Sequence, residues 1–271
     1  MLFRSDEVVV PSRFIARLLH QRGPRNRKLL ILDRWVDTER FHPKLRTPGF
    51  WKRHGIDEGR VVKFLYVGRV GLEKNLDTLA DAFLTLHATH PDVHLIVVGD
   101  GPHRAALERK LAGAPVTFTG FLEGSHLSRA YASADVKLFP STTDTWGNAP
   151  LEAQASGIPV IVSDQGGPQE LMEHGTTGLR VRGRDVTALV QAMRELLDPD
   201  VRARMGAAAR AFTEANRLEA PFQAILEADA YRARVKPHGK PTKHEADDEG
   251  DDAVERCLVD HRAHRDAART A

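Results

Sequence analysis

From residue 62 onward, short and almost unbroken apolar runs alternate with segments whose apolar residues recur at helical spacing. Val62–Val67 is the first run and stops at Gly68, the pattern of a strand covered on both faces. Behind it, Leu76, Leu79, Ala80, Phe83 and Leu86 fall at i, i+3, i+4, i+7 and i+10 and make one apolar stripe of a helix. The unit repeats: 93–98, 116–118, 136–139, 159–163 and 179–181 are further strand candidates. Between them the pattern predicts a helix opened by Pro102 and closed by Gly113, then helices over 125–134, 150–156 and 168–174. Asp185 caps a long helix through Leu197, and 200 to about 232 reads as helical. Six parallel strands with right-handed crossovers, an α/β doubly wound sheet, is the simplest arrangement.

The stretch before residue 60 follows a different pattern. Residues 7–10 read as a strand, Ser12 caps a helix with Phe14, Ile15, Leu18 and Leu19 on one side, Gly23 ends it, and 28–32 is another apolar run. That is too little to bury a core of its own. Between residues 11 and 60, thirteen Arg or Lys stand against five acids. This excess suits a solvated basic face or a connecting segment, or else an anionic partner such as phosphate or lipid headgroups. At the other end seven acids lie between Glu245 and Glu255 with little apolar material, which predicts a disordered tail from about residue 236.

Composition adds mostly exclusions. Lys plus Arg number 39 against 37 Asp plus Glu, so bulk charge predicts no nucleic-acid partner. Apolar runs such as 95–98 and 158–162 fall far short of the roughly 18 residues of a membrane span. The first seven residues reach Asp6 and Glu7 before any long apolar region, against a secretory leader, and a lone Cys257 fits a reducing compartment. A cytoplasmic protein is expected.

In open parallel sheets ligands sit outside the carboxyl ends of the strands, so the loops there are the ones to inspect. Gly68-Arg69-Val70-Gly71-Leu72-Glu73-Lys74-Asn75 combines glycines, a helix start and two cations, which suits a phosphate group and equally a solvated turn. Gly99-Asp100-Gly101-Pro102 and Asp164-Gln165-Gly166-Gly167-Pro168 are glycine-rich turns, weak signals when taken alone. The loop from Pro140 to Glu152 is stronger. Asp144 lies in the loop and Glu152 on the first helical turn, with Gly147 between them. Such carboxylates can accept hydrogen bonds from vicinal hydroxyls, and amides near Asn148, Ala149 and Leu151 favour an anion, although Pro150 offers none. As structural residues, Asp144 would cap a turn and Glu152 would favour the helix dipole.

Together, from about Val8 to Leu197, these segments resemble the C-terminal, nucleotide-sugar-binding domain of glycosyltransferase family 4, retaining enzymes of the GT-B fold. Phe64-Leu65-Tyr66-Val67-Gly68-Arg69 with Glu73-Lys74-Asn75-Leu76 is similar to the family's phosphate-binding strand and loop, implying that Arg69 and Lys74 hold the donor diphosphate. Val97 to Pro102 and Phe118-Thr119-Gly120-Phe121 resemble the next two strand ends, the second near the nucleotide base. The family's signature has two Glu separated by seven residues, and this chain has Asp144 and Glu152 at that spacing. By resemblance Glu152 binds the ribose hydroxyls, Asp144 the transferred sugar, and the amides around Gly147 to Leu151 the sugar and phosphate. Asp in place of the first Glu is one methylene shorter and leaves sugar identity open.

The implied reaction transfers a hexose from a nucleotide-diphosphate sugar to an acceptor hydroxyl with retention, with no cofactor or metal, the leaving diphosphate being stabilised by Arg69, Lys74 and a helix N-terminus. The acceptor is unidentified, with a lipid or a polysaccharide as candidates, and a lipid would bring the protein to the inner membrane surface. Two doubly wound domains need roughly 300 to 400 residues. The expected division is therefore 1–60 as a remnant of an acceptor domain and its connection, 61–235 as the donor domain and 236–271 as tail. A non-catalytic nucleotide-sugar-binding module that relies on a separate acceptor-domain chain is one alternative, a nucleotide-sugar epimerase another. An NAD enzyme ranks last, because Arg104 stands where the third Gly of Gly-x-Gly-x-x-Gly should pack. Trp146 reads as a packing residue, and His238, His244, His261, His264 and Cys257 form no convincing ligand set.

Overall fold

The computed structural model describes residues 7–22, 28–31, 36–57, 59 and 61–215. The expected tail with its histidines and Cys257, the end of the last helix, Gly23 and Leu32 lie outside them. The chain divides into two compact units, Met1–Asp33 with Glu219–Ala271, and Arg34–Leu218. In the first, β1 (Glu7–Val10) and β2 (Lys28–Ile31) pair in parallel, and α1 (Arg13–Arg22) connects them. Ser12 Oγ accepts from the Ile15 amide at 3.3 Å, the N-cap read from the sequence.

The second unit is built on six parallel strands: β3 (Val62–Val67), β4 (Val93–Val98), β5 (Val116–Gly120), β6 (Val136–Phe139), β7 (Val160–Ser163) and β8 (Gly178–Val181). Their order is β5-β4-β3-β6-β7-β8. Alternate residues of one strand serve opposite faces. Phe64 and Tyr66 enter one apolar cluster with Leu95 and Val97, whereas Leu65 enters another with Ile96 and Val98. That is why the strands read as continuous apolar runs rather than alternating ones. The first cluster is covered by α2 (Leu76–His87), α3 (Arg104–Lys110) and α6 (Val186–Glu195), and the second by α4 (Gly124–Ala132) and α5 (Asn148–Ala155). α7 (Pro199–Ala215) packs on α5, and a Cβ at Gly206 would stand 2.3 Å from the Gly157 carbonyl.

Two expected elements differ. Residues 168–174 form a 3-10 turn over Pro168–Leu171 instead of a helix, and the chain is extended again at Met172. Pro102 lies in a turn and α3 starts at Arg104, with the His103 amide donating to the Val70 carbonyl at 3.1 Å. That helix also ends at Lys110, before Gly113, with Leu111 as its C-cap.

Residues 36–57 belong to the same body as the sheet. Phe41, Phe50, Ile56 and a fully buried Trp51 join the second apolar cluster. The Trp51 indole donates to the Ser133 carbonyl at 3.1 Å, and Arg46 reaches the Ala134 carbonyl at 3.1 Å and Asp135 at 2.8 Å. From α7, Arg210 Nη1 lies 2.9, 3.0 and 2.7 Å from the carbonyls of Thr38, Phe41 and Ala155. Part of the basic excess read before residue 60 is thus structural: Arg46 is tied down as described, Lys44 pairs with Glu39 at 3.2 Å, and Arg53 lies 4.4 Å over the Phe50 ring.

Candidate functional site

Strand order decides where a ligand can sit. From β3 the sheet grows through β4 to one side and through β6 to the other. Loops leaving two such strands diverge and open a crevice outside their carboxyl ends, the usual ligand position in doubly wound sheets. One wall is the loop from Gly68 to Lys74 after β3, and the other is the loop after β6 that runs into α5.

The two loops are joined. Lys74 Nζ lies 2.6 Å from Asp144 Oδ1, with the side chains 21% and 22% exposed. Alongside, Thr143 Oγ1 donates to the Glu73 carbonyl at 3.2 Å and Asn75 Nδ2 to the Pro140 carbonyl at 3.2 Å. Asn75 sits at φ 57°, a left-handed position that Asn tolerates, and it swings the chain from the 3-10 turn Leu72–Lys74 into α2. The Asp144 carbonyl accepts from the Gly167 amide at 2.9 Å, so the glycine turn after β7 buttresses this wall. Arg69 is 61% exposed and pairs with Glu73 at 2.7 Å, while its carbonyl accepts from the Tyr66 hydroxyl at 2.7 Å.

Glycines in the β4 loop serve the β3 loop. A Cβ at Gly99 would stand 2.0 Å from the Gly68 carbonyl, and one at Gly101 would stand 2.3 Å from that of Val70. Hydrogen bonds close the seam, Gly68 N to the Val98 carbonyl at 3.0 Å and Val70 N to that of Asp100 at 2.9 Å. Gly99-Asp100-Gly101 is therefore a backbone packing device. Phe121, at the end of β5, is 73% exposed.

α5 starts at Asn148 with Gly147 as N-cap and no capping side chain. A Cβ at Gly147 would come 3.1 Å from the Phe139 ring, a tight contact. Asn148 is exposed, Ala149 and Glu152 are half-buried and Leu151 is buried. Burial pushes the Glu152 carboxyl above the usual carboxylate range, and Tyr131, Lys137 and Arg40 act against that. Lys137 is buried in β6: burial drops its ammonium to about 7 while Glu152 opposes the shift. Its Nζ donates to the Leu138 carbonyl at 3.0 Å and lies 5.0 Å from the Tyr66 ring centroid and 5.6 Å from that of Phe139. The Tyr131 hydroxyl is buried without a hydrogen bond of standard geometry, although Glu152 is its acidic neighbour. Asp144 Oδ2 and Trp146 Nε1 are also buried and make no hydrogen bond. Trp146 is otherwise a core residue, at 6% exposure.

Gly68, Arg69, Lys74, Asp144, Gly147, Asn148, Ala149, Leu151 and Glu152 are thus gathered on the loops of two adjacent strands. Sequence reading missed Lys137, Tyr66 and Tyr131. The available signal was a lysine inside the otherwise apolar run 136–139. Among the described residues no group of three or more His, Cys, Asp or Glu could hold a metal ion, and no helix is long and apolar enough to cross a membrane.

The family model described as glycosyl transferases group 1 matches residues 62–199, which span the whole sheet and both walls of the crevice. The chain belongs to this family. Among its curated relatives, sulfoquinovosyl transferase SQD2 of Arabidopsis thaliana is 36% identical over 215 residues, 78% of this chain and 41% of that protein. A GDP-mannose-dependent alpha-(1-6)-phosphatidylinositol dimannoside mannosyltransferase of Mycobacterium tuberculosis is 36% identical over 58% of this chain and 41% of its own length. The group 1 chain therefore spans about two fifths of these relatives. Its Rossmann-like, GT-B-type fold is shared with solved structures. A glycosyltransferase from Rickettsia africae superposes with a TM-score of 0.75 at 20% identity, covering 85% of this chain and 64% of that one. Sucrose-phosphate synthase from Thermosynechococcus elongatus gives 0.72 at 26% identity, covering 85% and 58%. The Anabaena protein HepE, solved with UDP and glucose, gives 0.73 at 21% identity, covering 83% and 63%.

Proposed function

We propose that residues 36–215 form the donor half of a retaining hexosyltransferase, binding a nucleotide-diphosphate sugar in the crevice between β3 and β6. The observation that carries this reading is the Lys74–Asp144 ion pair across the switch point, whose second carboxylate oxygen is buried and unbonded. A donor diphosphate replaces Asp144 as the counter-charge of Lys74, and a sugar hydroxyl is a fitting donor to the released carboxylate. Glu152 takes the ribose hydroxyls from the first turn of α5, and Gly68 and Gly147 let phosphate and sugar approach the backbone. As the glycosidic bond breaks, charge grows on the leaving diphosphate, where Lys74, Arg69 and the amides around Asn148 to Leu151 stabilise it. The relatives named for GDP-mannose and for sulfoquinovosyl transfer support a hexose donor, and those named for phosphatidylinositol mannosides support a lipid acceptor.

Lys74→Ala is expected to weaken UDP or GDP binding about tenfold to a hundredfold, the worth of a charge-assisted hydrogen bond of about 1.5–3 kcal/mol. Arg69→Ala, at an exposed pair, should cost less. Calorimetric titration of both variants checks this, and unchanged affinity in Lys74→Ala removes Lys74 from the site.

A second reading is a donor-binding module that holds a nucleotide sugar and transfers it only with a separate acceptor-domain chain, since the residues gathered around the Lys74–Asp144 pair are those proposed for the donor. Incubation with labelled nucleotide sugars and a glycolipid acceptor decides. Transfer by the chain alone rejects the module reading, and binding without transfer supports it.

A further inference from the structure

Where β3 and β6 part, their backbone pairing gives out. The ladder between them has two registered pairs, Phe64 with Val136 and Leu65 with Lys137, and stops there. β3 and β4, by contrast, stay paired through Val67 and Val98 and are stitched beyond that point by the Gly68 and Val70 amides. Above the last β3–β6 pair, side chains join the two walls of the crevice. One junction is the Lys74–Asp144 ion pair, which a bound diphosphate would break, and another is the exposed bond from Thr143 to the Glu73 carbonyl. A further one is Asn75, whose Nδ2 donates at 3.2 Å to the carbonyl of Pro140, the residue that follows β6. An asparagine just before a helix ordinarily turns back to cap it. Asn75 makes no such cap bond to α2. Its Oδ1 accepts instead from the Thr78 hydroxyl on the first turn of α2 at 2.8 Å, which fixes the amide with its nitrogen toward the opposite wall.

We propose that Asn75 is a positioning residue, oriented by Thr78, that holds the two walls at one spacing while Lys74 exchanges Asp144 for the donor diphosphate; this rests on the reading of Lys74 as a diphosphate ligand. Asn75 directly follows Lys74, so a bond that anchors Asn75 to the far wall also anchors the base of the lysine side chain. When the ion pair opens, this bond stays closed. A wall fixed beforehand leaves less ordering to be done as the ligand arrives, and the saving appears as affinity.

The test is the gain in affinity from nucleoside monophosphate to diphosphate. UMP, UDP, GMP and GDP are titrated calorimetrically into the full chain as wild type, Asn75→Gly, Thr78→Val, Thr78→Ser and Lys74→Ala. Glycine keeps the left-handed backbone at position 75 and removes the bridge. The gain is expected to fall about threefold to tenfold in Asn75→Gly and about twofold to threefold in Thr78→Val, the range of one neutral hydrogen bond, with monophosphate affinity unchanged. Thr78→Ser keeps the hydroxyl and should keep the wild-type gain. A wild-type gain in Asn75→Gly or in Thr78→Val overturns the proposal, as does a Thr78→Ser gain as low as that of Thr78→Val. An equal loss of mono- and diphosphate affinity also overturns it, being the mark of lost packing. Lys74→Ala separates the two levels: if it keeps the full gain, or if the wild type shows none, the diphosphate reading of Lys74 fails and takes the role of Asn75 with it. If Asn75→Gly does not fold, the two Thr78 variants carry the comparison.

Discussion

Replacing Asp135 by Ala is expected to lower the unfolding free energy by about 3–5 kcal/mol, the usual cost of removing one partner of a buried ion pair. Asp135 Oδ2 lies 2.8 Å from the ammonium of Lys63, which is 3% exposed inside β3, and 2.9 Å from the Lys63 amide. Its other oxygen holds Arg46 at 2.8 Å. Burial pushes the Asp135 carboxyl up, but Lys63 and Arg46 outweigh it and hold it below the usual range. A carboxyl depressed by folding contributes stability that is present above its unfolded value, about 3.9, and is lost as pH falls through the folded value. Urea midpoints of the wild type should therefore fall below about pH 4, and Asp135→Asn should flatten that fall. A loss under about 1 kcal/mol in Asp135→Ala would place the pair in the weak, solvated class instead.

Gly99→Ala is the second large effect. The added methyl would meet the Gly68 carbonyl at 2.0 Å, and Gly99 stands at φ 124°, where L side chains are strained. The backbone conformation alone costs about 1–3 kcal/mol, and the overlap adds to it. Gly68 cannot retreat freely, because its amide is bound to Val98 and the following turn is pinned through Val70. We expect a drop in melting temperature together with loss of nucleotide affinity, read by calorimetry at a temperature where the variant is still folded. Native affinity in a destabilised variant would show that the β3 loop does not touch the ligand.

The sheet was legible because its inner strands β3, β4, β6 and β7 are covered on both faces and so leave nearly unbroken apolar runs, whereas the edge strands β5 and β8 are only partly buried. The helices that carry an apolar stripe, α2 and α6, were equally plain. Residues 168–174 misled because Pro168 suits the first turn of a 3-10 segment as well as that of a helix. Phe41, Phe50 and Trp51 carry no periodicity, so a segment that completes the core reads as a connection. At the site, residue types and spacing marked the two loops, but not the Lys74–Asp144 pair, whose members are seventy positions apart and meet only because β3 and β6 are neighbours. Lys137 broke the apolar run 136–139, but a lysine in a strand gives no sign of which face it points to.

Arg210 bears on where this chain can be cut. One guanidinium nitrogen serves carbonyls at residues 38, 41 and 155, and Glu214 holds the group from the next turn at 2.8 Å. A fragment trimmed to the family match, 62–199, would lose Arg210 and leave the Ala155 carbonyl without its donor. It would also strip Trp51 and Phe50 from one face of the sheet and uncover the apolar residues they shield. An excised piece that keeps these contacts has to hold everything from Thr38 to Glu214, so the boundaries of sequence kinship fall well inside those of the packed body.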